Sequence, residues 1–191
     1  MYSVIRFVLI LIPLTLSAIS HAQTEVRHKL FAETDGYKAQ AVAAQAPLLA
    51  PRSYEAGAKH YQRAEELLSR GKSLERIRRD LAAASEEFIA AVEATEVAKL
   101  SMASSISARE DAIQAGAEQH ARQLWATAEK TFRQSAVKLE TGSLKSSTKS
   151  SSKAESIFRE AELTAIKVNY LQETRTLLAK AKEIKADRYT P

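Results

Sequence analysis

The chain has 191 residues and no cysteine, and 28 Lys and Arg against 23 Asp and Glu leave a formal charge of +5. The missing thiols exclude disulfides, an acylated N-terminal cysteine, thiolate catalysis and cysteine-ligated metal. With only 6% aromatic residues and charges of both signs interspersed, the chain lacks the basic stripe and stacking platforms of a nucleic-acid binder, and no nucleic-acid partner is expected.

Residues 1–22 read as a secretory signal peptide. Arg6 supplies the positive start, an apolar run from Phe7 to Leu16 follows, and Ser20 and Ala22 stand at −3 and −1 before Gln23. The run is short for a membrane span, so none is expected once the signal is cleaved. The predicted compartment is the periplasm, with an association with the outer membrane left open.

Beyond the signal the chain is rich in alanine and charge, with 5 glycines and 4 prolines, a composition that favours helices. Residues 23–50 are assigned to a first helix and hinge. From there the chain matches itself: Tyr54 falls on Trp125, Tyr61 on Phe132, Leu68 on Leu139 and Gly71 on Gly142, an offset of 71. After the glycines the offset is 70, with Ala84 on Ala154 and Phe88 on Phe158. The match defines helical repeats at 51–120 and 121–185.

Within each repeat the apolar positions step by three and four. Tyr54, Gly57, Tyr61, Ala64 and Leu68 mark a helix at 51–70, and Trp125, Ala128, Phe132, Ser135 and Leu139 mark one at 122–141. Pro51 suits a first helical turn, and Gly71 and Gly142 suit left-handed C-caps. A longer stripe from Leu74 through Phe88 to Met102 predicts one unbroken helix over 73–117, on the order of 65 Å at 1.5 Å per residue. A short partner covers only part of such a helix. The predicted fold is therefore all-α: an elongated staggered array of alternating short (about 20 residues) and long (about 40 residues) antiparallel helices built from a repeat of about 70 residues. The serine-rich stretch 143–156 is expected to fray or loop, because serine hydroxyls compete for backbone hydrogen bonds; firm helix should resume near Lys153.

No catalytic motif is present, and no catalytic residue, cofactor or metal is assigned. Histidines at 21, 28, 60 and 120 lack ligand spacing. Adjacent pairs such as Glu65-Glu66 and Glu86-Glu87 splay around a helix, with i,i+4 partners such as Glu75–Arg79 expected. Trp125 reads as core. The candidate interaction residues are basic. Arg70, Lys72, Arg76, Arg78 and Arg79 surround the first glycine turn, and Lys138, Lys145, Lys149 and Lys153 surround the second. A basic edge repeated in this way could meet an anionic envelope surface or an envelope protein. The simpler reading is solvated charge that complements helix dipoles.

The stretch AGAEQHARQLWATAEKTFRQSAVKLETG resembles the alanine-rich helical domain of unknown function found in bacterial envelope proteins. Units of that family begin Gly-Ala-x-x-Tyr-Ala-Pro-x-x-Leu/Tyr. Here Gly116, Ala117, Ala121, Leu124 and Trp125 match, Arg122 stands where proline is usual, and Ala50-Pro51 keep the Ala-Pro pair. The resemblance implies a place N-terminal to an OmpA-type peptidoglycan-binding domain and brings no catalytic residues. The function expected is a non-enzymatic periplasmic scaffold or spacer in envelope organisation. The alternatives are a tetratricopeptide-like protein-binding adaptor and a basic periplasmic chaperone or anionic-surface binder. The closing residues 186–191 lie over 117–122 and 46–51, so they read as the start of a third repeat, and the chain is expected to continue past Pro191.

Overall fold

The computed structural model describes the backbone of residues 12–183 and the side chains of residues 25–183. Residues 1–11 of the predicted signal peptide and the predicted third start at 186–191 lie outside the described residues. The described chain is all-helical: α1 (Ile12–Ala43), α2 (Ala46–Leu49), α3 (Pro51–Ser69), α4 (Leu74–Ser101), α5 (Ala103–Gln114), α6 (Ala117–His120), α7 (Arg122–Glu140) and α8 (Leu144–Glu183). No helix among the described residues is long and apolar enough to cross a membrane. The contacts divide the chain into two compact units, Met1–Pro47 with Ser53–Val92 and Leu48–Arg52 with Glu93–Pro191, so the division falls inside α4.

In the first unit three helices share a core. Phe31, Thr34 and Ala41 of α1, Tyr61 and Ala64 of α3, and Ile77, Leu81, Ala84, Phe88 and Ala91 of α4 are buried. Each set repeats at helical spacing, which keeps it on one face. Tyr54 and Gly57 meet Phe88 while His60 and Arg63 meet Asp80, so α3 runs opposite to α4. Arg27 meets Glu65 and Phe31 meets Tyr61, so α1 runs opposite to α3. The turn after α3 is closed by Gly71 at φ 60°. There Lys72 N–H bonds Leu67 O at 2.9 Å and Gly71 N–H bonds Leu68 O at 3.0 Å, the paired bonds of a glycine C-cap that only an uncrowded left-handed residue makes without strain.

In the second unit α8 is the central element. Trp125 and Phe132 of α7 pack on Phe158 with ring centroids 5.4 and 6.1 Å away, and Ser135 meets Ser147, so α7 and α8 run in opposite directions. Ser105, Asp111 and Ala115 meet Ser151, Arg159 and Asn169 in turn, so α5 runs alongside α8 in the same direction. Gly142, at φ 74°, closes the α7–α8 turn through Ser143 N–H to Lys138 O at 2.8 Å and Gly142 N–H to Leu139 O at 2.9 Å.

The helices predicted at 51–70 and 122–141 are α3 and α7. Two expectations are corrected. The helix predicted over 73–117 is interrupted at Met102 (φ −119°, ψ 15°) and stops at Gln114, ahead of Gly116 in the left-handed region. At the break the Ser105 hydroxyl donates to the Met102 carbonyl at 2.9 Å, which also accepts the Ile106 N–H at 3.0 Å. The serine-rich stretch expected to fray is regular helix from Leu144 onward. Ser147 and Ser151 are buried there, and their hydroxyls bond groups on the facing helices instead of their own backbone turn.

Gly57 tests how closely α3 and α4 approach. A Cβ at this position would lie 2.9 Å from two ring atoms of Phe88 and 3.2 Å from the Ala84 carbonyl oxygen. Helix propensity alone makes Gly→Ala favourable by about 1 kcal/mol, whereas overpacking a tight contact costs about 1–3 kcal/mol. Phe88 is fully buried and cannot swing aside, so Gly57→Ala should lower the unfolding free energy by about 1 kcal/mol in urea denaturation. A net gain would mean that the helices are not held in this contact.

Candidate functional site

Arg70, Lys72, Arg76, Arg78 and Arg79 are exposed around Gly71, and Lys145, Lys149 and Lys153 are exposed around Gly142. Arg70 lies 3.9 Å from Glu66, and none of the other seven has an ion-pair partner among the described residues. The expected Glu75–Arg79 pair does not form. Lys138 is half-buried and donates to Ser150 at 2.8 Å, which takes it out of the exposed set.

The charged groups that do converge lie elsewhere in the first unit. Tyr61 projects from α3 against α1, which carries Arg27, Asp35 and Lys38. Its hydroxyl donates to Asp35 Oδ1 at 2.5 Å and accepts from Arg27 Nη2 at 2.8 Å. The same Arg27 nitrogen reaches Glu65 Oε1 at 3.0 Å, and its guanidinium carbon lies 4.9 Å from the Phe31 ring centroid. Lys38 Nζ sits 4.1 Å from the Tyr61 centroid, an ammonium facing a ring. Burial first, and then the hydrogen bond to Asp35, push the phenol pKa up to about 12. The hydrogen bond to Glu65 foremost raises the Arg27 guanidinium above its ordinary value. Such a phenol keeps its proton near neutrality. It joins α1 to α3 and is no candidate nucleophile.

A second constellation lies on the other side of α3. Asp80 is 5% exposed on α4. His60 Nδ1 lies 3.5 Å from its Oδ1 and Arg63 Nε lies 3.8 Å from its Oδ2, which makes no hydrogen bond. A buried carboxylate is held by whatever opposite charge is near it, and removing that charge costs more than the pair contributes. In the second unit hydroxyls take this part. Ser135 Oγ donates to Ser147 O and Ser147 Oγ donates to Ser135 O, each at 2.9 Å, and Ser105 and Ser151 share a bond of 2.8 Å. At the rim Arg109 pairs with Glu129 at 2.6 Å below Trp125, and Arg159 pairs with Asp111 at 2.6 Å.

Among the described residues no three His, Cys, Asp or Glu side chains come together as metal ligands. Both constellations bridge helices, and of the buried side-chain atoms described only Asp80 Oδ2 is left without a hydrogen bond. The sequence reading missed Asp80, although a signal existed. An aspartate three residues after Ile77 and next to Leu81 lies on a buried stripe, where a carboxylate needs a partner. The Arg27–Asp35–Tyr61–Glu65 set had no such signal, because it joins two helices whose pairing register is not written in either one.

The phenol gives the site a pH signature. A proton held more tightly in the folded state stabilises it fully below the ordinary tyrosine value of 10.0, and the gain is lost as pH rises towards 12. Tyr61→Phe removes this dependence. The stability gap between wild type and variant, from urea unfolding, should be constant below pH 10 and shrink above it, by up to about 1.4 kcal/mol per pH unit. A gap that stays level to pH 12 would show that the phenol is not held protonated.

Compared with protein-family models, curated proteins and solved structures, the chain finds no match.

Proposed function

We propose that the chain is a non-enzymatic helical scaffold or spacer, exported through its N-terminal signal and acting in the cell envelope, of the kind found beside OmpA-type peptidoglycan-binding domains. In this reading a unit of about 70 residues stacks on its neighbour in an elongated, staggered array of short and long helices. The observation that carries it is the recurrence of the same packing devices at the sequence offset. The short helices Ala46–Leu49 and Ala117–His120 each precede a helix of 19 residues, α3 and α7. Each short helix also follows a left-handed residue, Gln45 at φ 67° and Gly116 at φ 76°. Phe31 and Met102, Ala64 and Ser135, Ala84 and Ala154, and Phe88 and Phe158 are all buried. Export and the envelope rest on the signal pattern and on the family resemblance.

The unpaired bases support a second reading, contact with an anionic envelope surface, since Arg76, Arg78 and Arg79 crowd one exposed turn with no carboxylate partner. It is compatible with a scaffold.

Solution scattering tests the array. A compact chain of this length has a radius of gyration of about 16 Å, and a stacked array should exceed about 20 Å. A value at the compact limit would overturn it. For the second reading, reversing Arg76, Arg78 and Arg79 to Glu should cut binding to anionic vesicles at least about tenfold at low salt, with no change on neutral vesicles. Unchanged binding would remove it.

A further inference from the structure

Among the described residues one apolar stripe is left without cover. On α8, Tyr170, Leu171, Leu177 and Leu178 are 70%, 54%, 63% and 57% exposed. They fall with Thr174 and Ala181 on one face of the helix. The face has a register already seen twice. In the first unit Phe31, Thr34 and Ala41 stand at i, i+3 and i+10 and are buried beneath α3 and α4: Phe31 meets the Tyr61 ring edge-on at 5.4 Å, and Thr34 reaches Leu81 O and Ser85 Oγ. In the second unit Met102, Ser105 and Ala112 repeat the spacing and are buried, with Ser105 on Ser151 of α8 and the next turn, Arg109, against Trp125 and Glu129 of α7. Leu171, Thr174 and Ala181 carry the same large, hydroxyl and small residues at the same three positions. Against the first unit the match extends backwards: Lys167 lies four residues before Leu171, as Arg27, which bonds Glu65, lies four before Phe31, whereas Ala98 holds that place before Met102.

We infer that this face of α8 docks a helical hairpin of another polypeptide, built like α3 and α4. The hairpin's first helix would carry a small residue, an aromatic and an acidic residue in the manner of Gly57, Tyr61 and Glu65. Its second would carry small residues beside a large ring, as Ala84 and Phe88 do. Continuity with the two covered stripes is the argument. In both units this register is closed by two helices running as a hairpin, and in the first the aromatic of the first helix, Tyr61, lies against the large residue at i, Phe31. A second copy of the chain is a poorer occupant, because its α3–α4 hairpin already holds its own α1. The inference rests on the repeat proposed above.

The probe is a labelled peptide of residues 46–92, which spans α2, α3 and the first part of α4, titrated against the full chain. Saturable binding is expected, with a gain of helix in circular dichroism if the peptide is unfolded alone. Leu171→Glu with Leu178→Glu in the full chain should weaken it at least about tenfold, as charges in the centre of an apolar contact do. Leu144→Glu, at an exposed leucine in the first turn of α8, should leave it unchanged. The inference is overturned if the peptide does not bind, if the double variant binds it equally well, or if the full chain alone sediments as a dimer that the double variant abolishes. An extended scattering profile without peptide binding would remove this docking face and leave the scaffold reading intact.

Discussion

Everything in both units depends on how closely helices can approach. The helix-facing positions are mostly alanine, serine or glycine, and the approach is set by the few large side chains inserted between them. Where Phe88 lies across α3, the position beneath it has no side chain at all. A core of this kind gains little from any one residue, since an alanine buries one methyl group. Its stability comes from many close backbone-to-backbone contacts along a helix, in which dispersion over a long seam replaces the burial of a few large groups.

The same closeness decides what polar atoms can do inside. Between α7 and α8 the two serines are near enough for each hydroxyl to reach the other helix's carbonyl, so neither side chain is left unsatisfied and both helices keep their own ladders. Leucine at either position would push the helices apart. The first unit handles polarity differently. Its charged groups sit mostly at the edges of the seam, where Arg27, Asp35 and Glu65 retain access to water around the buried Tyr61, and among the described charged groups only Asp80 goes inside. That aspartate carries the one buried side-chain atom among the described residues that has no hydrogen bond. It depends on His60 and Arg63 of the opposite helix, which ties the register of α3 against α4 to a charge.

Much of this was legible from periodicity and punctuation. The positions of α3 and α7 follow from the three-four spacing between Pro51 or Arg122 and the capping glycines, because a helix end needs a residue that tolerates positive φ. Gln45 was not legible. It takes the left-handed conformation without being glycine, and propensity gives no warning of that. The serine stretch was misread because propensity describes an isolated helix, whereas Ser147 and Ser151 sit where a neighbouring helix offers acceptors. The interruption at Met102 was not legible, because no proline or glycine marks it. Of the polar constellations, the basic residues were visible as a cluster because they are near in sequence. The sets that bridge helices were not, because they are near only in space.

The serine and alanine seam also has a thermal consequence. The heat-capacity change of unfolding grows with apolar area exposed and is reduced by polar area exposed. Seams holding Ser105, Ser135, Ser147 and Ser151 alongside alanines release hydroxyls and backbone as well as carbon when they open. Their increment should fall below the usual ~12–15 cal/mol/K per residue, which flattens the dependence of stability on temperature and moves cold denaturation further below freezing.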